Sequence, residues 1–140
     1  MDIRGKNVII FDGACGTNLQ RMHLPASAWG DHEGCNEYLN LSAPDAISEL
    51  HGSFLEAGAT VVETNTFGAN DIVLAEYGLS ARVEEINAAA VECARAAVRR
   101  HNPSALIAGA VGPTTKLPSL GHISFEEMAR SSARQIRVLV

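Results

Sequence analysis

Residues 54–70 read FLEAGATVVETNTFGAN, and this stretch decides the fold. Phe54 and Leu55 close an apolar helical pattern, and Gly58 is a natural helix stop. Thr60-Val61-Val62 is a β-branched run, expected as a strand that ends at Glu63-Thr64. A helix leading directly into a short apolar strand with a polar end is the repeating unit of a parallel α/β sheet. Toward the N-terminus, Ile47, Leu50, His51, Phe54 and Leu55 follow helical spacing. Ser42-Ala43-Pro44-Asp45 reads as the start of that helix, with Ser42 as cap and the Asp45 charge near its N-terminus. Before it, Lys6–Phe11 (KNVIIF) reads as a buried strand closed by a turn at Asp12-Gly13. Ala14 to Asn40 shows no sustained period and reads as a long irregular loop, with room for a short helix over Leu19–Leu24.

Toward the C-terminus, Ala69 to Tyr77 reads as a short helix stopped by Gly78. A longer helix is expected from about Ala81 to Arg100, with Val83, Ile86, Ala90, Cys93 and Ala97 as its buried stripe. Pro103 ends it, and Leu106–Val111 reads as a third strand running into Gly112-Pro113. Ser124-Phe125-Glu126-Glu127 is a capping box opening a last helix, with Phe125, Met128, Ser132, Ile136 and Leu139 on one face. The order strand–helix–strand–helix–strand–helix implies a parallel sheet with right-handed crossovers. The sequence stops at Arg137-Val138-Leu139-Val140, inside an apolar helical pattern, which is not where a domain boundary is expected.

The chain has 140 residues, 46% hydrophobic and 19% charged, with a formal net charge of −5. That balance argues against disorder and against nucleic acid as partner, since phosphates call for Lys/Arg clusters. The apolar runs are far shorter than the ~20 residues that span a bilayer. Met1 to Asn7 is charged and carries no apolar core of a secretory leader. Cys15, Cys35 and Cys93 are too few and too scattered for a disulfide framework, and a reducing cytoplasm is the expected setting.

In a parallel α/β sheet, ligands bind at the C-terminal ends of the strands. Three clusters fall there: Asp12-Gly13 with Gly16-Thr17, Glu63-Thr64-Asn65-Thr66, and Gly112-Pro113-Thr114-Thr115. Asp12 and Glu63 suit a ligand ammonium group. Thr64, Asn65, Thr66 and the backbone N–H groups near the glycines suit a carboxylate, so the mixture fits a small amino acid. The alternative reading is that Asp12 and Glu63 only cap neighbouring loops and Thr64 only satisfies backbone groups. Gly13-x-x-Gly16 lacks the third glycine of a dinucleotide fingerprint and the Gly-Lys-Ser/Thr of a phosphate loop, and no helix is expected directly after it. His32-x-x-Cys35, with Cys15 and His23 nearby, has metal-like spacing but reads better as loop, because a zinc site needs three or four ligands held in place. Cys93 and His51 read as packing residues, and Trp29 and Tyr38 as anchors for the long loop.

Taken together, several stretches carry a resemblance. They are Phe11-Asp12-Gly13-Ala14-Cys15-Gly16-Thr17 with Gln20, then Cys35-Asn36-Glu37-Tyr38-Leu39-Asn40-Leu41, then Phe54–Ala59 leading into Glu63–Asn70, then Glu85-Ile86-Asn87, and Gly112-Pro113-Thr114. In this order the sequence resembles the homocysteine S-methyltransferase family. Its Gly112–Leu120 stretch is closest to the cobalamin-dependent methionine synthase branch, as against the branches that use betaine or S-methylmethionine. The resemblance implies a (β/α)8 TIM barrel, of which this α/β chain, residues 1–140, would be the first three βα units. It implies homocysteine as substrate, methyl transfer to its thiol to give methionine, and a pocket drawing on Asp12, Gly13, Glu63, Thr64, Asn65 and Thr66. Family members often carry Met or Gly where this chain has Cys15. The family chemistry also implies zinc, held by three cysteines from later strands, including a Gly-Gly-Cys-Cys motif absent from this sequence. Cobalamin and folate would bind other domains. The chain is therefore expected to be inactive alone. A competing reading is a non-catalytic partial barrel that self-associates, or complements a second fragment, through exposed sheet edges. A third is an unrelated small α/β binder.

Overall fold

A computed structural model describes residues 8–140. The expectations for Met1–Asn7, including the first two residues of the Lys6–Phe11 strand, lie outside the described residues. The helices are α1 (Cys15–Arg21), α2 (Ala26–Trp29), α3 (Leu39–Ser42) and α4 (Pro44–Glu56), which precede strand β1 (Val61–Glu63). After it come α5 (Asp71–Leu74), α6 (Val83–His101), strand β2 (Leu106–Ala108) and α7 (Phe125–Leu139).

β1 and β2 pair in parallel, with Val62 opposite Ile107. The expected first strand is reduced to a single parallel bridge between Phe11 and Val61, flanked by Val61 N–H donating to Ile10 O and Asp12 N–H donating to Val61 O. This segment has β1 on one side only, and Val8, Ile10 and Phe11 are exposed, so nothing described extends its ladder. β2 is likewise shorter than Leu106–Val111, because Ala110 N–H leaves the ladder to donate to Thr64 Oγ1 at 3.1 Å. Three parallel segments remain, with β1 in the middle and its Val61 and Val62 buried.

α6 is the spine. Its expected stripe of Val83, Ile86, Ala90, Cys93 and Ala97 is buried throughout. Cys93 packs with Leu39, Ile47 and Leu50; Val83 and Ile86 pack with Leu74 and Leu79; Ala94, Ala97 and Val98 pack with Leu55 and Val62. Asn87 locks this helix to the chain after β1, donating through Nδ2 to Ala69 O at 2.8 Å.

Several local expectations are corrected. Ser42 does not cap α4: it ends α3, where its hydroxyl donates to Tyr38 O, and Pro44 opens α4 at a position that needs no N–H donor. The stretch from Ala14 to Asn40 is largely helical, with α1 starting at Cys15 immediately after Ala14, so a helix does follow Gly13 at once. Short turns of helix conceal the 3.6-residue period that would have announced them. In α7 the capping box is present, but the buried side is Ser131 and Gln135, whereas Phe125 and Ile136 are exposed. Polar partners decide this face. Gln135 Nε2 donates to Thr66 O at 2.6 Å, Arg134 pairs with Glu84 on α6 and Asp71 on α5, and Ser131 hydrogen-bonds Asp71.

Asn87→Ala removes a buried amide and orphans the Ala69 carbonyl, so it should cost about 1–3 kcal/mol in urea denaturation. Arg95→Ala breaks only an exposed pair with Glu92 and should stay within about 0.5 kcal/mol of the parent.

Candidate functional site

At the C-terminal ends of the three parallel segments lies a cavity of about 340 Å³. Its wall includes Asp12, Gly13, Cys15 and Gly16 from the first segment and α1, Glu63, Thr64 and Asn65 from the end of β1, and His51 and Phe54 from α4. Asn36, Glu37, Phe67 and Ala110 complete it. Of the residues singled out from sequence, Asp12, Gly13, Glu63, Thr64 and Asn65 therefore meet at one cavity. Thr66 does not reach its wall. It is fully buried behind it, donating from Oγ1 to Ala110 O at 2.7 Å. Gly112 adjoins the cavity through its N–H, which donates to Phe67 O; an added Cβ at Gly112 would come within 2.5 Å of that oxygen. Thr115 instead binds Glu76.

The Glu63–Thr66 loop is held by its own polar groups. Asn65 Nδ2 donates to Asn40 Oδ1 at 2.9 Å and to Asn36 O at 2.8 Å, while Asn65 Oδ1 accepts from the Cys15 thiol. Asn40 returns a bond to Asn65 O at 2.9 Å. The Thr64 and Thr66 hydroxyls lie 2.7 Å apart. Their side chains are thus engaged with the protein, and what they offer the cavity is a fixed surface. Glu37 braces the next turn by accepting Gly68 N–H at 2.7 Å.

Asp12 and His51 dominate the electrostatics. The Asp12 side chain is 7% exposed, and its Oδ2 accepts Glu63 N–H at 3.0 Å. Burial, opposed by that hydrogen bond and reinforced by the Glu63 charge, pushes its carboxyl up to about 6. His51 is 3% exposed, with Nδ1 4.0 Å from Asp12 Oδ2, and burial pushes it down to about 4. Burial first, and then the Glu37 and Asp12 charges, push the Cys15 thiol up to about 12. Burial and Glu37 push Cys35 up to about 11.

His51, Cys15, Asn36, Glu37, Phe54 and Phe67 were not singled out for this cavity from sequence. His51 and Phe54 carried a usable signal, since they lie one helical turn apart on the face that α4 turns toward the sheet. Asn36 and Glu37 lie in a stretch that carries the family resemblance, but their single 3-10 turn shows no period that would place them at the cavity. The His32–Cys35 spacing is structural here: His32 Nδ1 bonds Tyr77 O and Cys35 sits in the core beside Leu74 and Leu79. Trp29 and Tyr38 pack against the core clusters and anchor this stretch.

The profile of the homocysteine S-methyltransferase family matches residues 9–140. This chain belongs to the homocysteine S-methyltransferase family. Methionine synthase of Mycobacterium tuberculosis is 38% identical over 128 residues, covering 89% of this chain and 11% of that protein. Methionine synthase of Mycobacterium leprae is 35% identical over the same length. The chain thus spans about 11% of the length of these curated relatives. Among solved structures, the homocysteine methyltransferase MmuM of Escherichia coli shares the fold with a TM-score of 0.74 at 24% identity, covering 96% of this chain and 50% of that one. No helix among the described residues is long and apolar enough to cross a membrane.

The two buried groups act on stability in opposite directions. His51, lowered on folding, adds stability that is complete above its unfolded value of 6.5 and gone below about 4. Asp12, raised on folding, adds stability that is complete below 3.8 and lost as pH rises through about 6. Between pH 4 and 6 they largely offset each other. Asp12→Asn removes one side of the balance, so its stability should rise with pH across that window by up to about 1.4 kcal/mol per pH unit more steeply than the parent. Urea denaturation at pH 4.5 and 6 measures the slopes; parallel slopes would refute the burial of Asp12 as its dominant influence.

Proposed function

We propose that this chain, residues 1–140, is the N-terminal part of a homocysteine-binding domain and forms one wall of the homocysteine pocket. The observation that carries the reading is the convergence of Asp12, Glu63 and the Thr64-Asn65 surface on one cavity at the C-terminal ends of parallel strands. In this reading Asp12 and Glu63 take the ammonium group. Gly13 leaves room beside Phe54, where a Cβ would sit 3.4 Å from the ring. Backbone N–H groups beside Gly13 and Gly16 face the carboxylate. Thr64 and Asn65 form the fixed surface under the ligand, and Thr66 holds that surface from behind. Phe54 and Phe67 suit the methylene chain. The three parallel segments are the first three strands of a (β/α)8 barrel, a reading supported by their order, by the helical crossover of α5 and α6 between β1 and β2, and by the half-length overlap with a homocysteine methyltransferase.

In the family chemistry, homocysteine must become a nucleophile, and a free thiol near pKa ~8.5 is mostly protonated at neutral pH. Zinc is the group implied for that step. The residues described here do not fit it: among them no three His, Cys, Asp or Glu side chains gather as ligands, and Cys15 and Cys35 are held as thiols. The reading is accordingly that this chain binds homocysteine and does not methylate it alone. Zinc ligands, the methyl donor and a methylcobalamin-carrying domain would come from the rest of a methionine synthase-type protein. Three free thiols suit a reducing cytoplasm.

Calorimetric titration with homocysteine should show binding to the chain, weakened at least about tenfold by Asp12→Asn, which removes a charge-assisted partner. Incubation with zinc, homocysteine and methylcobalamin should give no methionine above blank; turnover would overturn the division of labour proposed here.

A second reading, self-association, rests on the exposed Val8, Ile10 and Phe11 along one sheet edge and Val111 beyond β2 on the other. It expects a concentration-dependent rise in mass by light scattering, and a monomer at every concentration would contradict it.

A further inference from the structure

One side chain on the cavity wall is not used by the reading above. Neither ring nitrogen of His51 has a hydrogen-bond partner, although the side chain is 3% exposed. Its neighbours on the same helical face, Leu50 and Phe54, are apolar, and an apolar side chain would satisfy packing there without leaving nitrogens bare. Asp12 Oδ2 lies 4.0 Å from its Nδ1, just beyond hydrogen-bond reach. That same oxygen already accepts Glu63 N–H. His51 therefore stands behind the carboxylate that faces the cavity, close enough to engage it after a small closing movement.

We propose that His51 is a positioning residue whose neutral ring changes tautomer with the charge state of Asp12, accepting from the protonated carboxyl in the empty cavity and donating to the carboxylate when a cationic ligand enters. The inference rests on the reading that the cavity takes an amino acid. The balance is one proton. In the empty cavity below about pH 6 Asp12 carries it and His51 is protonated on Nε2. When an ammonium group arrives, the Asp12 proton passes to Nδ1 and the Nε2 proton is released to solvent. The ring is neutral before and after.

The charges on the wall favour this exchange. The ionisable groups there are Asp12 and Cys15 beside α1, Glu37, Glu63 at the end of β1 and His51 on α4, and α6 contributes none. Asp12, held at about 6, is protonated at pH 5, while His51, held at about 4, is still neutral. Cys15 remains a thiol throughout this range.

Nitrogen-15 NMR of the ligand-free protein between pH 4.5 and 7.5 tests the coupling directly. The protonated nitrogen of His51 should change from Nε2 to Nδ1 with a midpoint near 6, and Asp12→Asn should abolish the change. A tautomer indifferent to Asp12 overturns the inference whatever binds. Calorimetry with homocysteine in buffers of different ionisation enthalpy should show close to one proton released at pH 5 and almost none at pH 7.5. Affinity should be about tenfold weaker at pH 5 than at pH 7.5. In His51→Phe the acid limb of binding should move up by about half to one pH unit, and His51→Gln, which restores a donor and an acceptor, should return it. An unmoved limb in a folded His51→Phe protein overturns the inference. Loss of all homocysteine binding with the NMR coupling intact overturns the substrate reading and upholds the His51–Asp12 pair.

Discussion

The chain leaves the sheet after Thr64, and the buried side chains of residues 64–66, together with the carbonyls of Asn65 and Thr66, find their hydrogen-bond partners in segments distant in sequence. Asn40 and Asn36 meet Asn65, Ala110 meets Thr64 and Thr66, and Gln135 meets the Thr66 carbonyl. These partners come from the chain between α2 and α4, from the end of β2 and from α7. One buried loop thereby gathers segments distant in sequence onto a single rim. An unsatisfied buried amide or carbonyl costs about 1–3 kcal/mol, so the network constrains the register of every segment that enters it.

This constraint also separates two kinds of residue at the cavity. Asn65 and Thr66 are buried and engaged, and they set the shape of the wall. Asp12, Glu63 and His51 keep unspent hydrogen-bonding capacity or charge, and they set its chemistry. The apolar spine of α6 lies behind both, packing α4 and β1 through small residues such as Ala94 and Ala97. The site is rigid where hydrogen bonds converge and electrostatically poised where they do not.

Much of this was legible in the sequence. The stripe from Val83 to Ala97 gave α6, Gly58 and the β-branched run gave β1, and the polar strand ends gave the cavity with Asp12, Gly13, Glu63, Thr64 and Asn65 on its wall. Thr66 shares the motif yet points into the protein, because the chain bends at Asn65 and the Thr66 hydroxyl is drawn to Ala110 O. The helices between Ala14 and Asn40 were not legible, because four- to seven-residue helices are too short to display a period. The buried face of α7 was misread because hydrophobicity cannot anticipate a helix docked through Ser131, Arg134 and Gln135. His51 read as a packing residue, and only its distance to Asp12 and its bare nitrogens give it another role.

Homocysteine is proposed to bind at the rim formed by the Asp12, Glu63 and Asn65 segments. Backbone amide chemical-shift mapping of the protein titrated with homocysteine tests it most directly. Saturable shifts should concentrate on Asp12–Gly16, His51 and Glu63–Asn65, with the separate outer groove between α4 and α6, lined by Glu49, Glu56 and His101, unmoved. Shifts centred on that outer groove, or no saturable shift at the rim, would contradict it.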